Sequence, residues 1–188
     1  MIDLVRRKYS DMWLNGFFIV GFPIETREDI LATLRFSGEL DLDWASHYIF
    51  KPFPGTELYQ DCVDRGLIEA FDFGYGENYS ESPIDGPDWD RGWAFDTNYE
   101  YNLRVNFLNN RNLANGNHAQ ALRDFEYIIA ITSDHALAYR QAAVAARGLD
   151  DIEKAARYES AERRILSQNG EFAQWYAKLE IPIPRLVA

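Results

Sequence analysis

Cysteine is nearly missing from this chain. Cys62 is the only one in 188 residues, which excludes an internal disulfide and any thiolate metal cluster built from this polypeptide alone. Positive charge is scarce too. Nineteen Lys and Arg face thirty Asp and Glu, giving a formal net charge of -11, and an acidic surface argues against nonspecific attraction to DNA, RNA or anionic lipid. Arg6, Arg7 and Lys8 form the one tight basic cluster and are expected on a solvated helix face. Long apolar runs are lacking as well. The longest, Gly16 to Pro23, is far shorter than the ~20 residues that cross a bilayer, and Met1-Ile2-Asp3 does not open in the basic-then-apolar order of a signal peptide. Neither a nucleic-acid nor a membrane partner is expected, and a cytoplasmic location is.

What is present suffices for a core: 47% of the residues are hydrophobic and 15% aromatic. Leu14 to Gly21 is apolar on both alternating faces and includes the β-branched pair Ile19-Val20, which predicts a strand buried on both sides of a parallel sheet. Gly21-Phe22-Pro23 punctuates its end. Thr26 stands where it can cap a helix whose first turn holds Glu28 and Asp29 and whose core stripe is Ile30, Leu31 and Leu34. Asp43 to Phe50 predicts a second strand, closed by the proline loop Lys51 to Thr56. Thr56 can cap a helix from Glu57 to Arg65, with Leu58, Cys62 and Val63 on one face and Gly66-Leu67 as its closure. Cys62 therefore reads as core and not as a ligand or nucleophile.

Two successive strand-to-helix units predict an α/β protein with a parallel sheet. Both proline loops fall at strand C-termini, the edge where barrels and open α/β sheets bind ligands. A whole eightfold barrel takes about 250 residues, and only residues 1–70 carry this pattern. Such a sheet cannot close on itself, and preceding strands are the expected remedy for its exposed edge.

Gly16-Phe17-Phe18-Ile19-Val20-Gly21-Phe22-Pro23-Ile24-Glu25-Thr26-Arg27-Glu28-Asp29 resembles the late-barrel strand, loop and helix of radical S-adenosylmethionine (radical SAM) enzymes, whose pattern is G-F-P-G-E-T-x-E-D. Pro52-Phe53-Pro54-Gly55-Thr56-Glu57-Leu58 resembles the P-x-P-G-T-x-L that follows the next strand. Within that family the resemblance is strongest to proteins with an upstream cobalamin-binding domain, or to their methylthiotransferase and coproporphyrinogen-oxidase-like relatives. It implies a partial TIM-type barrel made of the late strand-helix units. It also implies S-adenosylmethionine and a 4Fe-4S cluster in the full-length protein, with cobalamin as a further cofactor of one branch. Val20, Gly21, Pro23 and Glu25 are implied on the cofactor side. Ile24 departs from the family's glycine, which makes close approach of a ligand harder there. The family's C-x-x-x-C-x-x-C loop has no counterpart, so this chain contains no catalytic or metal-binding residue of its own by this reading. It needs the missing N-terminal barrel portion as a partner. His47, His118 and His135 show no ligand-like spacing and are expected to be surface or packing residues.

From Leu67 to Glu100 nine acids face only Arg91, among Gly, Pro, Ser and aromatics. Residues 71–97 are expected as an irregular connector that Tyr75, Tyr79, Trp89, Trp93 and Phe95 pack over the barrel edge or mouth. Residues 98–188 are expected to be helical. Gly116-Asn117-His118-Ala119-Gln120-Ala121 aligns with Asp150-Asp151-Ile152-Glu153-Lys154-Ala155, and 34 residues is the tetratricopeptide spacing. Ala142, Ala143, Ala145 and Ala146 permit the close packing of such a repeat. Phe172, Trp175, Tyr176 and Leu179 predict a capping helix. An all-α tetratricopeptide-like region of this kind is a candidate site for a protein partner. Asn102, Asn106, Asn109, Asn110 and Asn112 are either its polar binding face or helix-end caps. The expected function is thus a share in a radical SAM enzyme acting on an unknown substrate. The alternative is an interaction module.

Overall fold

The computed structural model describes residues 1–69 and 83–183. They belong to two units, Met1–Asn102 and Leu103–Ala188.

In the first unit a short helix, α1 (Ile2–Lys8), precedes strand β1 (Asn15–Val20). Arg6 does not lie on a solvated face. Its guanidinium donates to Asp43 Oδ2 at 2.8 Å and to the carbonyls of Asp41 and Met12 at 2.7 Å each, and both Arg6 and Asp43 side chains are almost fully buried. Several acceptors around one guanidinium compensate its lost hydration, which a run of three basic residues in the sequence does not reveal. Asp43 Oδ2 also accepts the Leu14 amide at 2.7 Å. The ion pair thereby ties the entrances of both strands together.

Helix α2 (Arg27–Glu39) follows β1, and strand β2 (Trp44–Ile49) then lies parallel to β1 in the register Asn15↔Trp44 to Val20↔Ile49. Thr26 and Asp29 form a reciprocal capping box at the start of α2. On one face of the strand pair Val20, Ala45 and Ile49 are buried, and Ile30 and Leu34 of α2 join Val20, Phe50 and Cys62 in one core. The opposite face is bare. Phe17, Ile19 and Tyr48 are exposed, with the Phe17 and Tyr48 rings stacked at 6.1 Å. Burial of β1 on both sides is therefore corrected: among the described residues no second layer covers that face.

Helix α3 (Glu57–Asp64) is capped by Thr56, whose hydroxyl accepts the Tyr59 amide. It closes with Gly66 at φ +67 and the bonds Gly66 N–H to Val63 O and Leu67 N–H to Cys62 O, both 2.9 Å, the paired closure that a left-handed glycine allows. Cys62 is fully buried, whereas Leu58, expected on the same face, is exposed.

Tyr75 and Tyr79 lie outside the described residues. Beyond them Ile84, Trp89 and Ala94 are buried in the same core as Val20. Helix α4 (Arg91–Leu103) starts inside the stretch expected to be irregular, so Trp93 and Phe95 are helical. Asp90 Oδ1 accepts the Trp93 amide at 2.9 Å and supplies the cap.

The second unit holds a π-helical turn (Arg104–Leu108), α5 (Arg111–Ala114), α6 (His118–Ile131), α7 (Ala136–Gly148), α8 (Ile152–Gln168) and α9 (Gly170–Lys178). α7 packs against both α6 and α8 and buries Ala142, Ala143, Ala145 and Ala146. At Gly148 an added Cβ would lie 2.3 Å from the His118 ring, so glycine makes room for that histidine. Phe172, Trp175, Tyr176 and Leu179 are buried at the end of the chain's helices.

The 34-residue recurrence is visible in the backbone. Gly116 has φ +72, with Gly116 N–H bonded to Leu113 O and Asn117 N–H to Asn112 O. Asp150 has φ +60, with Asp150 N–H bonded to Arg147 O and Asp151 N–H to Ala146 O. Asn106, Asn110 and Asn112 are buried, and Asn110 caps α5 through the Leu113 amide, so these three do not form an exposed polar face.

Candidate functional site

The loop from Val20 to Thr26 stands at the C-terminal end of β1, beside the loop that leaves β2. Val20 is fully buried, and its carbonyl accepts the Phe50 amide at 2.7 Å, extending the parallel pairing past the end of β2. Gly21 turns the chain at φ +85, a conformation that a side chain would strain. Phe22 then packs on Phe50 with ring centroids 4.7 Å apart. The Glu25 amide donates to Phe22 O at 3.0 Å, closing the turn.

Glu25 folds back over its own loop. Its Oε2 accepts both the Gly21 amide at 2.7 Å and the Phe22 amide at 2.8 Å. A carboxylate receiving two backbone N–H groups makes a pair of charge-assisted bonds and fixes the turn. Arg65, at the end of α3, donates to Pro23 O at 3.1 Å and ties that helix end to the first proline loop. Trp89 covers the turn: its indole N–H donates to Glu25 O at 2.7 Å, and a Cβ on Gly21 would meet Ile49 at 3.5 Å and the Trp89 ring at 3.7 Å.

The structure thus brings Val20, Gly21, Pro23 and Glu25 together in one loop and engages each of them internally. Glu25 Oε1 makes no hydrogen bond among the described residues. Ile24, where the family pattern has glycine, is exposed.

Arg65 and Trp89 were not legible as loop residues. A tryptophan that is buried needs an acceptor for its N–H, but nothing in the sequence says that the acceptor is a carbonyl 64 positions earlier.

The chain's residues do not fit an iron–sulfur cluster. Cys62 is fully buried, and burial pushes its thiol pKa up, away from the thiolate such a cluster requires. No group of His, Cys, Asp and Glu that could hold a metal ion occurs among the described residues. His47 is a packing residue. Ser37 Oγ donates to Leu34 O and receives the His47 Nε2–H, each at 2.7 Å, and desolvation lowers the histidine's pKa to about 4. His135 accepts the Ala138 amide on Nδ1 and is lowered to about 4 by burial as well. His118 rests on Gly148.

No helix among the described residues is long and apolar enough to cross a membrane.

No family model and no solved structure matches the chain. An uncharacterized methyltransferase of Pyrococcus horikoshii is 45% identical over 68 residues, which is 36% of this chain and 15% of that protein. The tRNA-2-methylthio-N(6)-dimethylallyladenosine synthase of Aeromonas hydrophila is 40% identical over 71 residues, 37% of this chain and 15% of the synthase. Its namesake in Thermus thermophilus is 40% identical over 63 residues, 34% of this chain and 14% of the synthase. The matched stretch therefore spans about 15% of the length of these relatives. Over roughly a third of its own length, the chain is related in sequence to enzymes of these two kinds.

Proposed function

We propose that this chain is the late part of a radical SAM enzyme, contributing the last strand-helix units of a TIM-type barrel and a tetratricopeptide-like helical region. The observation that carries the reading is the 45% identity over 68 residues to a methyltransferase. The two motif loops add support, since they stand side by side at the C-terminal edge of adjacent parallel strands. In the complete enzyme an iron–sulfur cluster and S-adenosylmethionine would supply the radical that begins the reaction. The cluster's cysteines belong to sequence outside this chain.

Within this reading the turn at Val20, Gly21, Pro23 and Glu25 serves the cofactor side as a rigid wall. Its Gly21 and Phe22 amides are held by Glu25, and Ile24 beside them is exposed. The names of the relatives favour transfer of a methyl or methylthio group as the reaction class. A net charge of -11 gives this part no electrostatic pull on tRNA, so tRNA contact is not assigned to it. Cobalamin belongs to the reading only through the motif resemblance. The bare face of Phe17, Ile19 and Tyr48 is where the preceding strands' side chains would pack.

A second reading is an interaction module built on α6 to α8. It is supported by the recurrence of the same helix closure at Gly116 and Asp150. The coding DNA upstream of Met1 separates the two. A continuous frame containing C-x-x-x-C-x-x-C supports the enzyme, and a genuine start site at Met1 overturns it in favour of the module.

A further inference from the structure

The segment from Ile84 to Trp93 touches the candidate loop at more points than chain connectivity requires. Trp89 is almost fully buried and donates its indole N–H to Glu25 O at 2.7 Å. Asp88 Oδ1 accepts the Arg27 amide at 2.8 Å, at the first turn of α2. The Arg27 guanidinium lies 4.8 Å from the centre of the Trp93 ring. Gly86 donates to Trp89 O at 2.9 Å, and a Cβ on Gly86 would sit 2.0 Å from the indole, so the segment folds tightly around its own tryptophan. Asp85 receives the Arg91 amide at 2.8 Å and pairs with its guanidinium at 3.2 Å. Ile84 anchors the start in the core beside Val20.

We infer that residues 84–93 form a strap that presets the Gly21–Thr26 turn, with Trp89 as its positioning residue. Glu25 is the shared element. Its carboxylate holds the Gly21 and Phe22 amides from within, while its carbonyl is held from outside by Trp89. Asp88 holds the next residue but one from outside as well, by accepting the Arg27 amide. The turn and the strap therefore open together, and a ligand that needs the turn in this shape depends on a docked strap. Only the meaning of the turn as a cofactor wall rests on the function proposed above. The coupling itself belongs to this chain and is measured without ligand, so its failure is distinct from failure of that reading.

The test is native-state amide exchange of the full 188-residue chain, read residue by residue by NMR, in wild type, W89F and D88A. W89F keeps most of the buried ring and deletes one donor. Exchange of the Gly21 and Phe22 amides is expected to quicken about tenfold, the size of one net hydrogen bond, while Phe17 to Ile19 and the helices of the second unit stay at wild-type rates. If W89F loosens the whole first unit, D88A provides the reading, since Asp88 is exposed: the same two amides are expected to quicken several-fold together with the Arg27 amide. Gly21 and Phe22 amides that keep wild-type protection in a folded W89F, or in D88A, would show the turn to be held by Glu25 alone and would overturn the inference.

Discussion

Glu25 accepts the backbone amide of Gly21, four positions earlier, at 2.7 Å, so its carboxylate is bonded first of all to its own loop. That relationship gives Glu25 a structural task before any other. E25A removes the acceptor of two amides at once and is expected to lower unfolding stability by about 2 kcal/mol, with E25Q losing roughly half as much because one acceptor oxygen remains. Urea unfolding of the two variants checks the ordering, and equal losses would mean that charge, not geometry, dominates.

Glu162 is buried between α7, α8 and α9, where its Oε1 receives the Tyr176 hydroxyl at 2.9 Å and Arg140 Nη1 at 3.0 Å. R140M leaves that carboxylate without its cation and is expected to cost about 3 kcal/mol, as breaking a buried pair does. Burial raises the Glu162 pKa despite both bonds. The folded state then holds its proton more tightly than the unfolded chain, so this residue's contribution is full below the ordinary glutamate pKa and is lost as pH rises through the folded one. E162Q is expected to flatten that part of the pH profile of stability.

His47 and His135 act with the opposite sign. Both are lowered from 6.5 to about 4 by burial. The unfolded chain takes up their protons first, so stability present above pH 6.5 is expected to fall as pH drops toward 4. Thermal unfolding between those values checks it, and H47N is expected to remove part of the slope.

At the two equivalent helix closures the sequence places different residues in the left-handed region, Gly116 at φ +72 and Asp150 at φ +60. G116A is expected to lose about 1 kcal/mol and D150G to gain several tenths, since only glycine adopts this conformation without strain. A stabilising G116A would contradict the shared geometry.

The parts of the fold that local chemistry determines were legible. Thr26 and Thr56 cap helices because a hydroxyl stands just ahead of unpaired amides, Gly66 ends α3 because glycine tolerates φ +67, and Cys62 is core. The candidate loop was legible as a turn for the same reason. What holds it was not: Arg65 and Trp89 reach Pro23 and Glu25 from distant positions, and no periodicity encodes such partners. Arg6 has the sequence pattern of a solvated residue because its acceptors, Asp41, Asp43 and Met12, meet it only after the chain folds back. The two-sided burial of β1 failed for another reason. Phe17 and Ile19 carry the pattern of a covered strand, but no layer among the described residues covers them.

Anaerobic reconstitution with iron and sulfide, read by the visible absorption of a four-iron cluster, puts the central claim to its most direct test. It compares the 188-residue chain with the longest in-frame polypeptide that ends at Ala188. A stoichiometric cluster is expected on the longer polypeptide alone. A cluster on neither would remove the radical SAM reading, and one on the 188-residue chain would contradict the placement of Cys62 in the core.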